Sequence, residues 1–210
     1  SAAWKLQRPE LAMTAVKVLQ KLDAMAQTES LSHVYDVASL AESGQSQLLT
    51  DWAHLLNALM DAANSAGNGE TYLPRARAVA ELLMAEFYDP SNGGFFDVAS
   101  DSEAIGYLRA REKPLPENVV AAQGLLKLYQ ANGDQTYLET AQRTLSAYVE
   151  VNRVYGEFAA SYALTVDLAL NQPIEVTIEG HLENPDTQGM LRAAAQVAYP
   201  NLVVKIVEAP

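Results

Sequence analysis

The feature that most constrains this chain is a phrase that occurs twice. Ala66-Gly-Asn-Gly-Glu-Thr-Tyr-Leu73 leads to Ala76, and Ala131-Asn-Gly-Asp-Gln-Thr-Tyr-Leu138 leads to Ala141. Tyr72 and Tyr137 are 137 − 72 = 65 residues apart, and each copy joins two segments whose apolar residues recur at helical spacing. A helix–short turn–helix unit cannot bury its apolar stripe alone, so copies of it must stack. The same offset pairs Trp52 with Glu117 and Ala53 with Asn118, setting both pairs at the start of alternate helices. A tetratricopeptide array is excluded, because it repeats every ~34 residues with short loops throughout.

Helical periodicity predicts six helices. The first spans about Pro9 to Gln27, with Leu11, Ala15, Val18, Leu19 and Leu22 on one face. The second runs from Leu48 to Ser65, the third from Thr71 to Phe87, and the fourth from Glu117 to Gln130. The fifth starts at the second copy of the phrase, where Thr136 to Glu139 reads as a capping box, and continues to Val151. The sixth, Tyr155 to Leu170, is small and apolar on most sides, the pattern of a helix with an interior place. Helices two, four and six are therefore expected to be inner and the others outer. After Pro173 the period falls to two: Ile174, Val176 and Ile178 alternate with polar residues. A helix from Pro185 to Ala198 capped by Asn184, and a strand over Leu202 to Val207, complete a βαβ pattern. Its strands are expected to be parallel with a right-handed crossover.

Connection lengths say where function belongs. Helices two and three, and helices four and five, are joined by a few residues, as antiparallel neighbours are. The connections into helices two and four are long: Thr28 to Gln47, and Tyr88 to Pro116. One rim thus has tight turns and the other has polar and aromatic loops, where binding groups usually sit. A net charge of −12 argues against nucleic acid and anionic membranes, which are recognised by clustered Lys and Arg. Zero cysteines exclude disulfides and thiolate metal sites and fit a reducing compartment. No run reaches the ~20 apolar residues of a bilayer span. Ser1-Ala-Ala-Trp4 lacks both an initiator Met and a signal pattern. A cytoplasmic fragment or processed product is the expectation.

On the long-loop rim, Asp51 and Glu117 open helices two and four. Each is either a charge complementing a helix N-terminus or one of a pair of carboxylates for acid–base work on a glycosidic bond. His33 on the first long loop and His54 on helix two are candidate bases, His54 alternatively a structural residue. Trp52, Phe95 and Phe96, with Asp97 beside them, offer faces and a polar group to a ring-shaped ligand. The alternative is that the double glycine Gly93-Gly94 simply seats the two phenylalanines. Arg109, Arg111 and Lys113 form the concentrated positive patch of an acidic chain. They either pair with neighbouring carboxylates or grip a ligand carboxylate or phosphate. Scattered histidines give no metal-ligand spacing, and phosphate-loop and nucleophile-elbow motifs are missing. No metal and no cofactor is expected.

Several local phrases carry a family resemblance. Leu49-Thr-Asp-Trp-Ala53, Asp89-Pro-Ser-Asn-Gly-Gly-Phe-Phe-Asp97, Arg111-Glu-Lys-Pro114 and Glu175-Val-Thr-Ile-Glu-Gly180 resemble the C-terminal half of the spermatogenesis-associated thioredoxin-like proteins. That resemblance implies part of an α/α toroid, the architecture of six-hairpin glycosidases, with about half of the ring present. In place of the family's Pro-Ser-x-Asn phrase the chain has Pro116-Glu-Asn118, which makes Asn118 a binding candidate. Without the thioredoxin-like domain, no redox activity is implied. The expected fold is mainly α: a partial α/α toroid of three helical hairpins over residues 1–172, and a small βαβ element over 173–210. The expected function is that of a six-hairpin glycosidase-like domain binding or processing a carbohydrate or small anionic ligand in a cleft on the long-loop rim. The alternative is a structural or interaction domain, completed by a second copy or by absent N-terminal domains.

Overall fold

The computed structural model describes residues 8–26, 47–64, 69–101, 105–150, 152–197, 199 and 201–207. The fold is mainly α with a small C-terminal β element. The helices are α1 (Pro9–Ala26), α2 (Leu49–Ala63), α3 (Gly69–Glu86), α4 (Leu115–Asn132), α5 (Gln135–Ser146) and α6 (Ala160–Leu170). They are followed by β1 (Ile174–Glu179), α7 (Pro185–Gln196) and β2 (Leu202–Val207). α3 carries Pro74 in its second turn, where the missing N–H forfeits the i→i−4 bond to Glu70 O. α4 ends on Gly133 in the left-handed conformation, φ 74°, which costs glycine little. α5 is capped by Asp134, whose side chain accepts from Thr136 N. Thr136 is therefore not the cap, because the helix starts one residue before it.

α2 pairs with α3 and α4 with α5, and α2 also packs along α4. That last contact is close because of Gly124: a methyl there would stand 2.7 Å from Leu56 Cδ2. Asn57 Nδ2 donates across the seam to Val120 O at 2.8 Å, and Lys127 Nζ reaches Asp61 Oδ1 at 2.7 Å. These links advance in the same sense along both helices, so α2 and α4 are parallel. Their first turns, holding Asp51 and Glu117, lie at the same end. The core clusters around this pair, with Leu56, Leu59, Leu125 and Leu128 all at 0% exposure.

α6 packs on α4 and α5. Gln123 Nε2 donates to Thr165 Oγ1 at 2.8 Å, and Tyr162 OH to Leu145 O at 3.0 Å. The expectation that this helix is interior on most sides is corrected. Only Tyr162, Thr165 and Ala169 of it are buried, while Leu164 and Leu170 are 48% and 72% exposed. An apolar sequence permits burial, but a neighbour must supply it, and none covers this flank among the described residues. The segment before α6 is a single α-turn (Asn152–Tyr155) and a 3-10 turn (Gly156–Ala159), not a continuous helix.

β1 and β2 pair in parallel, from Ile174↔Leu202 to Glu179↔Val207, with α7 between them and capped by Asn184 through Asp186 N at 2.8 Å. Burial along β1 is graded: Ile178 is 5% exposed and Ile174 51%. Asn201, 2% exposed, ties the element to the helices. Its Nδ2 donates to Asn171 O at 2.9 Å and its Oδ1 accepts from Gln130 Nε2 at 3.3 Å. No helix among the described residues is long and apolar enough to cross a membrane.

Candidate functional site

The segment between α3 and α4 folds back across the first turns of α2 and α4. Asp89 organises it. Its Oδ1 accepts from Ser91 N and Asn92 N at 2.8 and 3.2 Å, and its Oδ2 from Asn92 Nδ2 at 3.1 Å, the Asx-type geometry of a tight turn. Lys113 Nζ closes the loop from the far side, 2.6 Å from Asp89 Oδ2 and 2.7 Å from Gly93 O. With Lys113 first and Asn92 second, these donors hold the Asp89 carboxyl well below the usual carboxylate range. Gly93 and Gly94 have φ of 74° and 81°. A methyl at Gly93 would meet Arg143 O at 2.5 Å, so both backbone conformation and space demand glycine there.

The turn delivers Phe95 into the core and Phe96 to the rim. Phe95 is 0% exposed, and its backbone is read by Asn118: Phe95 N donates to Oδ1 at 2.6 Å, while Nδ2 donates to Phe95 O at 2.9 Å. Asn118 Nδ2 also reaches Pro114 O at 2.8 Å. Phe96 lies beneath two cations, with the Arg111 guanidinium 4.1 Å and Lys113 Nζ 4.9 Å from its ring centre. Arg111 donates to Val98 O at 2.9 Å and to Glu86 O at 3.0 Å, the latter at the C-terminal, partially negative end of α3. Burial lowers the Arg111 pKa. Asp97 Oδ1 accepts from Val98 N and Glu112 N at 3.0 and 2.9 Å. Asp97 O accepts from Leu49 N at 2.8 Å, joining the loop to the start of α2.

Against the residues singled out by sequence, the outcome is mixed. Asp51 and Glu117 are half-buried at the same end of the bundle, Arg109 is exposed at the close of a 3-10 turn (Gly106–Arg109), and His54 is exposed. His33 lies outside the described residues. Three assignments are corrected. Trp52, 1% exposed, is a core residue and offers no face to a ligand, and the same holds for Phe95. Asn118, 1% exposed, spends its amide on Phe95 and Pro114. Asp97 is half-buried and commits one oxygen, Oδ1, to the loop's own N–H groups. For Phe95 and Asn118 internal partners have taken the place assigned to a ligand, whereas Trp52 is packed in the core with its Nε1 making no hydrogen bond. Arg111 and Lys113 likewise spend their charge on internal acceptors and on Phe96.

Glu117, like Trp52, keeps a buried polar atom without a partner. Its Oε2 is buried and makes no hydrogen bond, an uncommon state for a carboxylate oxygen. The Tyr148 phenol is close enough for Glu117 to act on it. Burial pushes the Tyr148 pKa upward, and Glu117 and then Tyr155 add to the rise. Tyr148 OH donates to Lys113 O at 3.0 Å, which sets the phenol just ahead of α4. Asp89 was legible as the first residue of an Asp-Pro-Ser-Asn turn. Tyr148 carries no local signal, since it reaches the site from the end of α5. Among the described residues no group of three His, Asp or Glu side chains is placed to hold a metal ion. No protein-family model matches the chain, and no curated protein matches it.

Proposed function

We propose that this chain is part of an α/α toroid of the spermatogenesis-associated thioredoxin-like kind, and that it acts as an interaction domain. Its α6 flank seats further helical hairpins, and a second copy of the chain is the occupant expected in isolation. The bare side of α6 carries this reading. A groove of about 600 Å³ there is lined by Val149, Ala159, Ala160, Tyr162, Ala163 and Val166. Leu164 on α6 and Val154 in the turn before it are 48% and 84% exposed, apolar exposure of the kind that marks contact surfaces. A stable association buries about 1,200–2,000 Å² in total. Sedimentation equilibrium should show self-association that Ala163→Arg removes without loss of helical circular dichroism. A strict monomer at high concentration would overturn the proposal.

A second reading places a carbohydrate at the long-loop rim, and the unpartnered Glu117 Oε2 is the observation that favours it. That oxygen is out of solvent contact, so a ligand hydroxyl would satisfy it only by displacing the groups that cover it. An anionic ligand is disfavoured, because Arg111 and Lys113 are held by Glu86, Val98, Asp89 and Gly93. On this reading Glu117→Gln weakens binding of a neutral sugar by about tenfold, the worth of a charge-assisted hydrogen bond. Titration calorimetry showing equal affinities in wild type and variant would retire it.

A further inference from the structure

A second concavity lies at the opposite end of the bundle, where α2, α4 and α6 meet the start of β2. It encloses about 490 Å³, within the size range of small-molecule sites. Its wall has three chemically distinct parts. Lys127 and Asp61 form an ion pair at 2.7 Å, with side chains 32% and 69% exposed. Leu126, Leu168, Leu202 and Val203 make an apolar side. Asn64, Gln123, Gln130 and Asn201 supply amides.

Three of these amides, those of Gln123, Gln130 and Asn201, are held in place before any guest arrives. Gln123 Nε2 is fixed on Thr165 Oγ1 at 2.8 Å, and Thr165 in turn on Ser161 O at 2.7 Å. Gln130 Nε2 is fixed on Asn201 Oδ1 at 3.3 Å, and Asn201 on Asn171 O at 2.9 Å. Both glutamines therefore spend a donor on the protein and keep an Oε1 acceptor for a guest. Such prior fixing lowers the ordering cost of binding. The ion pair is also only part used: one of three Lys127 donors and one Asp61 oxygen are engaged. The last turn of α2 closes this end, and its carbonyls add partial negative charge.

We propose that this cavity binds a zwitterionic α-amino acid with an apolar side chain. The ammonium would meet the second Asp61 oxygen, the glutamine Oε1 atoms and the α2 carbonyl end. The carboxylate would meet the remaining Lys127 donors, and the side chain would lie on Leu126, Leu168 and Val203. A zwitterion uses the spare capacity of both members of the ion pair without adding net charge, whereas a simple anion or cation would use that of only one and add a charge to the cavity. Among the described residues the lining holds no aromatic ring, so a flat stacking ligand is not what it matches. The site is separate from α6's bare flank and from Glu117, and rests on neither reading of function.

The test is methyl NMR of the intact chain titrated with L-leucine, 4-methylpentanoate, 3-methylbutan-1-amine and glucose. L-leucine should shift the methyls of Leu126, Leu168, Leu202 and Val203 saturably. The two analogues, each missing one charge, should bind about tenfold or more weakly, as loss of a hydrogen bond to a charged group predicts. Lys127→Met and Asp61→Asn should each weaken L-leucine by a similar factor. If Lys127→Met fails to fold, Asp61→Asn, at a residue with a largely exposed side chain, carries the comparison. No methyl shift with L-leucine, equal affinity for either analogue, or tighter binding of glucose would each overturn the proposal.

Discussion

α4 and α6 are neighbours in the same layer, and the more uniformly apolar of the two is the less buried. α4 carries polar residues at Asn118, Gln123 and Lys127, yet nine of its residues are buried. α6, reading Ala-Ser-Tyr-Ala-Leu-Thr-Val-Asp-Leu-Ala-Leu, has three. The difference lies in what surrounds them. α4 is flanked by α2, α5 and α6, and the loop from α3 lies over its first turn. α6 has α4 and α5 on one side and an uncovered groove on the other. Apolar content measures what a helix would gain from a partner, whereas burial measures whether it has one.

The contrast can be tested by truncation. Leu125→Ala in α4 should cost about 3 kcal/mol, the usual consequence of a cavity at a fully buried leucine, read from urea unfolding. A cost under about 1 kcal/mol would mean that α4 is not the centre of the core. Asn118→Ala should cost about 2 kcal/mol, because Phe95 then keeps a buried N–H and C=O without partners. That loss should appear in hydrogen exchange at Phe95 N–H before the rest of the helix opens. Leu164→Ala on α6 should stay within about 0.5 kcal/mol, as exposed positions do, provided the chain is dilute. If its cost approaches that of Leu125→Ala, the α6 flank is covered in solution, and the cost should then vary with protein concentration.

The smallest expected effect is on pH dependence. Asp89 is held below its ordinary value chiefly by Lys113, so the folded state binds its proton less readily than the unfolded chain. The contribution is fully present above the unfolded value of about 3.9 and is lost as pH falls through the carboxylate range toward the depressed one. Acid unfolding of Asp89→Asn should show a shallower dependence there, while the neutral-pH helix signal is retained. Identical acid profiles would show that the Lys113 clasp adds nothing to stability.

Much of the helical scaffold was legible because it depends on local periodicity. The repeated Thr-Tyr-Leu phrase located the turns between α2 and α3 and between α4 and α5. Period-two alternation located β1, and Asn184 located the start of α7. The cap of α5 was misplaced by two residues, since Asp134 and Thr136 are both capable caps and only the path of the chain selects one. The candidate site was far less legible. Trp52, Phe95 and Asn118 sit at helix starts or after a turn, where residues are often functional, and sequence position does not say which way a side chain points.

What this sequence determined by itself is therefore the element list, the tight and long connections, and the parallel βαβ close. All of these follow from spacing and turn chemistry within a few residues. Tertiary structure decided which polar groups are already satisfied and which apolar faces are bare. Lys113 meets Asp89 across 24 residues, Asn118 meets Phe95 across 23, and Tyr148 reaches Lys113 across 35. Hydrogen bonds and burial are set by separation in space, and the folded path alone brings such distant residues together.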